Sequence, residues 1–292
     1  MYQKILVPMD GSPLAEVVLP YVYKLAARFD AKVTLLHVCQ PGESGIFMCE
    51  AYVKHLVDAA VEQLNFKKGM LDSLVVTGNV HERILEHAEK TKSELILMAA
   101  HGYSGRSDWM LGSVTHKVVA AAKIPVLIVR EALANAAAGW PQKAIVPLDG
   151  SSLSETVLPH VVAIAKTGVG VTLLRVCEPP VLLADYPESA LGEGWEQHLK
   201  LAKQGAENAC RIYLNDVATK KLEKEGVKAE NAVILANTPA DGIVEQIGLD
   251  PSALVVMSTH GRSGFSRWPY GHVADRILLA AKNPILLVRP KK

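Results

Sequence analysis

No apolar run in this chain is long enough to cross a bilayer. Ala253-Leu254-Val255-Val256-Met257 is typical, ending after about five residues where a spanning helix needs about 20. A surplus of charge of one sign is also missing: 31 basic residues face 30 acidic ones, leaving +1, so no field draws the molecule to nucleic acid or anionic lipid. Met1-Tyr2-Gln3-Lys4 runs into a strand-like apolar segment without a basic-then-apolar leader, which gives the expectation of a soluble, cytoplasmic protein. Cysteine is scarce. Cys39, Cys49, Cys177 and Cys210 form no C-x-x-C pair and no spacing suited to zinc, so they are expected to be ordinary structural thiols in a reducing compartment. His37, His116 and His160 stand singly, and no metal centre is expected. The Walker sequence is lacking, neither glycine loop carries a lysine, and no Ser stands in a nucleophile elbow, which argues against rapid phosphoryl transfer and against a Ser hydrolase.

What is present is written twice. Ile5-Leu-Val-Pro-Met-Asp-Gly-Ser12 returns as Ile145-Val-Pro-Leu-Asp-Gly-Ser151, and Thr34-Leu-Leu-His-Val-Cys39 returns as Thr172-Leu-Leu-Arg-Val-Cys177. Further on, His101-Gly102, Gly112 and Pro125 match His260-Gly261, Gly271 and Pro284 in the same order. An internal repeat of this length is one folding unit repeated. At 292 residues the chain suits two domains of about 150 residues, each able to bury its own core. We place them at residues 1–132 and 142–292, with the alanine-rich stretch 133–141 as linker. The second copy is longer between Cys177 and His260, with a long polar helix expected around Trp195 to Glu225.

Within the first copy, the runs 4–8, 33–38, 73–76, 95–99 and 126–129 are apolar without alternation, as strands covered on both faces must be. Helical stretches at 14–28, 51–68, 80–91 and 114–123 separate them. The fold class is therefore α/β, as two tandem doubly wound domains, each with a five-stranded parallel sheet. Ligands in such sheets bind beyond the carboxyl ends of the strands. Here those ends carry Pro8-Met9-Asp10-Gly11-Ser12 and Ala99-Ala100-His101-Gly102, the latter leading to Gly112-Ser113 and a helix. Glycines admit close approach of backbone N–H groups to an anion, and a helix N-terminus adds unpaired donors. The same residues also have a purely structural reading: the glycines turn the chain, Ser113 caps the helix, and Asp10 and Asp149 cap the helices that follow them. His101 and His260 suit a phosphate contact or a backbone-bonded turn equally, and Trp109 and Trp268 suit loop anchors better than base-stacking groups.

The spacing Ala99, Gly102, Gly112-Ser113 resembles the G-x2-G-x9-G-[ST] ATP-binding pattern of the universal stress protein family. So do the V-P-x-D-G-S strand ends, the L-L-x-V-C second strands and the P-V/I-L-x-V-R last strands, and together they cover nearly the whole chain twice. The resemblance implies a Rossmann-like fold similar to adenine nucleotide alpha hydrolases and a site for ATP or another adenine nucleotide. Pro8 and Asp10 would face the nucleoside and Val38 the adenine, with Ala99, Gly102, Gly112, Ser113, Val114 and Thr115 lining the phosphates. The second set would be Pro147, Asp149, Val176, Ser258, Gly261, Gly271, His272, Val273 and Ala274. Ala99 and Ser258 replace the family's first glycine, and His272 replaces its Ser/Thr. Weaker or absent binding is thus expected in the second half, unless Arg262 and Arg267 compensate. The implied function is regulation in stress or energy signalling through nucleotide binding and a protein partner. Two alternatives stay open: a slow ATP hydrolase or nucleotidyl transferase with Mg²⁺ held through Asp10, and a nucleotide-free scaffold. In the family the last strands pair, which here implies an intramolecular pseudo-dimer, with a homodimer beyond it also open.

Overall fold

The computed structural model describes residues 1–39, 45–64, 66–67, 69–102, 111–130, 140–179, 195–261 and 270–290. Trp109, Trp268, Arg262, Arg267 and residues 133–139 of the expected linker lie outside these segments. The first half contributes β1 (Lys4–Met9), β2 (Lys32–Cys39), β3 (Leu71–Thr77), β4 (Leu95–Ala99) and β5 (Val126–Val129). The second contributes β6 (Lys143–Pro147), β7 (Gly170–Cys177), β8 (Ala229–Leu235), β9 (Leu254–Ser258) and β10 (Ile285–Val288). Central strands such as β4, β5, β9 and β10 are buried at every position, which is why their sequences run apolar without alternation.

All ten strands form one sheet in the order β3-β2-β1-β4-β5-β10-β9-β6-β7-β8. Each half is parallel inside, and the two meet where β5 and β10 pair antiparallel, with Leu127 opposite Leu286. The pairing of last strands is thus made within the chain, and each half's inner edge is closed by the other.

The helices of the first half are α1 (Pro13–Glu16), α2 (Leu19–Phe29), α3 (Gly45–Leu64), α4 (Val80–Lys90) and α5 (Ser113–Ala121). Those of the second are α6 (Leu158–Ala165), α7 (Trp195–Val217), α8 (Pro239–Gly248) and α9 (His272–Ala280). The single helix expected over 14–28 is two helices. Pro20 occupies the first turn of α2, where its missing N–H has no partner to lose, and so marks a fresh start. In the second half α7 runs on through a π turn (218–222) and a 3-10 turn (223–225), and ends at Gly226 with φ of 77°, a conformation that favours glycine.

Two apolar layers cover the sheet faces, and both cross the boundary between halves. Ile5 and Val7 share one with Val146 and Leu173, beneath Leu25, Leu56, Val161 and Leu214 of the helices. Leu6 and Ile96 share the other with Ile145 and Val255, beneath Ile84, Val118, Ile243 and Ile277. Side chains also bridge the halves. Tyr2 Oη lies 2.7 Å from His160 Nδ1, and the His116 and Tyr270 rings meet edge to face at 5.5 Å. Arg130, just past β5, donates to the Leu278 carbonyl near the end of α9. Arg289, just past β10, donates to the Ala120 carbonyl near the end of α5. Each arginine meets carbonyls at a helix C-terminus, where the dipole favours a cation.

Candidate functional site

The loop after β1 is built by one aspartate. Asp10 Oδ1 accepts from the Ser12 amide at 3.0 Å and from Ser12 Oγ at 2.6 Å, and Ser12 Oγ in turn accepts from the Ala15 amide. Ser12, not Asp10, is therefore the cap of α1. The second half repeats this: Asp149 Oδ1 accepts from Ser151 N and Oγ at 2.9 and 2.6 Å, and Ser151 Oγ accepts from the Ser154 amide. In the first half the capping role considered for the aspartate belongs to Ser12; in the second, Ser151 holds the Ser154 amide, but the 3-10 turn there starts after Leu153 without a side-chain cap.

The other aspartate oxygen faces the loop after the fourth strand of its half. A Cβ on Gly102 would stand 2.0 Å from Asp10 Oδ2, and one on Gly261 would stand 2.1 Å from Asp149 Oδ2. These two glycines leave room for a carboxylate of their own chain, a different task from the anion approach read from the sequence. Oδ1 is thus engaged by the serine, and Oδ2 faces the glycine of the neighbouring loop.

Beyond these loops stand the helix starts. Gly112 caps α5 and Gly271 caps α9, neither with a side-chain hydrogen bond, so Ser113 is the first residue of its helix and not its cap. Each capping glycine donates its own amide back to the preceding loop, to Ala100 O and Thr259 O at 2.8 Å. The loop and the helix start are thereby held together, with the first amides of the helix turned outward. Thr115 is buried and donates Oγ1 to Ala99 O at 2.9 Å. In the second half Ser258 Oγ donates to His260 O at 2.6 Å, and Thr259 Oγ1 lies 2.9 Å from His260 Nδ1. His260 is 3 % exposed, its ring bonded to the neighbouring hydroxyl, and it lines the cavity described next.

Around the carboxyl ends of β6, β7 and β9 these pieces enclose a cavity of about 390 Å³. All nine residues of the second set, Pro147, Asp149, Val176, Ser258, Gly261, Gly271, His272, Val273 and Ala274, line it. Leu174, Ile243, Met257 and Pro239 supply the rest of an apolar wall, and Arg175 and Glu178 supply charge at the strand end. These were missed from the sequence. Arg175 stands at the unassigned position of L-L-x-V-C, where the first half has His37, and Pro239 and Ile243 come from a helix with no motif. The first set occupies the matching places in its half: Pro8 in β1 with Asp10 after it, Val38 in β2, Ala99 ending β4, Gly102 facing Asp10, and Gly112, Ser113, Val114 and Thr115 at the start of α5.

The family model described as "Universal stress protein family" matches residues 1–130 and 141–289. The chain belongs to the universal stress protein family. A universal stress protein of Mycolicibacterium smegmatis is 25% identical over 98% of this chain and 97% of its own length. One of Methanocaldococcus jannaschii is 31% identical over 44% of this chain and 96% of its own length, the span of one repeat. The crystal structure of a universal stress protein from Archaeoglobus fulgidus aligns with a TM-score of 0.64 at 17% identity, covering 99% of both chains, which shows the shared tandem fold. No helix among the described residues is long and apolar enough to cross a membrane.

The thiols need correction. Cys39 and Cys49 are not separate: they are joined in a disulfide with Cα atoms 6.7 Å apart. Sequence spacing concealed this, because α3 folds back over the end of β2 and returns Cys49 to a residue ten positions earlier. His37 belongs to the same cluster, its ring nitrogen and the two sulfurs all lying within 4.8 Å of one another. With the sulfurs spent on each other, the trio offers no thiolate pair to a metal.

Proposed function

We propose that this universal stress protein binds an adenine nucleotide and acts by binding, not by turnover. The observation that carries the proposal is the cavity at the carboxyl ends of β6, β7 and β9, lined by the nine residues the family pattern marks. Its volume of about 390 Å³ lies in the range of roughly 300–1,000 Å³ usual for small-molecule sites. Val176, Ile243, Met257 and Ala274 offer a flat apolar slot suited to a purine, and Gly271 with the first amides of α9 offers an anion-binding end. Binding without rapid turnover is supported by the lining itself, where the described residues include no lysine and Asp149 is engaged by its own loop. We propose the first half, with its Gly112-Ser113 helix start, as a second site of the same class. The weaker binding expected of the second half sets against this cavity a direct question of stoichiometry.

Titration calorimetry of the full-length chain with ATP and AMP tests the proposal. Val176→Trp fills the slot in the second half, and Val38→Trp is its counterpart in the first. Each should remove one equivalent of bound nucleotide while the chain stays folded. Absence of any nucleotide binding to the wild-type chain, or unchanged binding in both variants, would overturn it.

A further inference from the structure

The disulfide of the first half has a counterpart that is not closed. Cys39 and Cys177 are the last residues of β2 and β7, and Cys49 and Cys210 lie on the helices that follow, α3 and α7. The helical register is the same in both. Three residues beyond each helix cysteine a tyrosine, Tyr52 or Tyr213, donates its hydroxyl to a glutamate, Glu16 or Glu155, at 3.0 and 2.9 Å. In the first half the two sulfurs are bonded. In the second both cysteines are free thiols, buried at 4 and 8 % exposure and placed on the same two elements, the strand end and the helix that follows it.

One residue distinguishes the two settings. Where the first half has His37, the second has Arg175, whose Nε donates to Cys210 Sγ at 3.3 Å. The guanidinium lies over the Tyr213 ring at 4.8 Å, so the charge is held in place rather than swinging in solvent. A fixed cation beside a sulfur favours its thiolate, the form that reacts with oxidants.

We propose that Cys177 and Cys210 are a redox-active dithiol, which a peroxide closes to a disulfide and a small thiol reopens. Cys210 is the attacking sulfur, because Arg175 stands where its negative charge develops. The Cys210 sulfur forms a bond to one peroxide oxygen as the O–O bond breaks, giving a sulfenic acid and releasing the other oxygen as water or alcohol. Cys177 then attacks that sulfur; the S–S bond forms, the S–O bond breaks, and the hydroxyl leaves as water with the Cys177 proton. Burial, with Cys210 as its neighbour, pushes the Cys177 thiol up to about 11, in keeping with a partner that stays protonated until this second step. Two equivalents of a small thiol reverse the change by exchange, becoming the oxidised disulfide themselves. Arg175 also lines the cavity, yet the redox chemistry stands without any ligand there.

The test uses the full-length chain, reduced with dithiothreitol, desalted, exposed to hydrogen peroxide, then alkylated in denaturant and digested for mass mapping. We expect the Cys177 and Cys210 peptides to be recovered linked and lighter by two hydrogens, and dithiothreitol to restore both as alkylated thiols. In Cys177→Ser the reaction should stop at a Cys210 sulfenic acid trapped by dimedone. Arg175→Gln should slow closure about tenfold, with the Cys39–Cys49 pair as the internal reference. Alkylation of both Cys177 and Cys210 after peroxide, a link from either to a different cysteine, or an unchanged rate in Arg175→Gln would each overturn the proposal. The wild-type mapping needs no variant, so the decision survives a substitution that fails to fold.

Discussion

Replacing Gly261 by alanine would place a methyl carbon 2.1 Å from Asp149 Oδ2 and 3.0 Å from its Cγ. The nearer approach is more than 1 Å inside ordinary contact, about 3.4 Å or more, so the carboxylate must rotate out of the loop. Doing so breaks the bonds from Ser151 N and Ser151 Oγ to Oδ1. Hydrogen bonds to a charged group contribute about 1.5–3 kcal/mol each. Asp149 is only half-buried and water recovers part of this, so we expect a net loss of about 2 kcal/mol. For a chain of this size that lowers Tm by roughly 3 °C, measurable by calorimetry. The cause is separable from glycine's flexibility, because Asp149→Ala removes the obstacle. Asp149→Ala alone should cost about as much, and the double variant should be no worse than either single one, giving a coupling of about 2 kcal/mol. A Gly261→Ala change within about 0.5 kcal/mol of wild type, or two additive costs, would refute the steric reasoning.

Arg130→Met removes the donor to the Leu278 carbonyl from a site 9 % exposed and should cost about 2 kcal/mol by denaturant unfolding; a neutral result would show that the cross-half contact is dispensable. Leu286→Asp places a charge opposite Leu127 in the antiparallel junction between the halves and should unfold the chain at a denaturant midpoint well below wild type, by about 3–5 kcal/mol. Burial holds the His160 imidazole down at about 4, against an ordinary value near 6.5. The unfolded chain therefore takes up a proton below about pH 6.5 that the folded chain refuses; stability is whole above that pH and falls by up to about 3 kcal/mol as pH drops toward 4. His160→Gln, which keeps an acceptor for Tyr2, should flatten the difference between unfolding at pH 7 and pH 4.5, and parallel profiles for the two proteins would count against this assignment.

The strands were legible because burial on both faces leaves a strand no choice but an unbroken apolar run: Leu95–Ala99 and Val126–Val129 are read from sequence with the bounds they have in the fold. The repeat placed Asp10 beside Asp149 and Gly102 beside Gly261 in register, and the nine residues it marked in the second half meet around one cavity. It did not reveal what the glycines were for. Asp10 and Gly102 are 92 positions apart, and only the adjacency of β1 and β4 brings a carboxylate to the space where a Cβ would be.

By itself, then, the sequence determined the local and the repeated: the α/β alternation, two copies of one fold, and which loops end which strands, since each follows from short-range pattern. The tertiary structure decided what depends on separated segments meeting. It made one ten-stranded sheet from two five-stranded ones, through β5 and β10. It also gave Arg130 and Arg289 their partners in the opposite half. And it joined Cys39 to Cys49, because a helix packed on its preceding strand end returns a side chain to a neighbour that sequence distance hides.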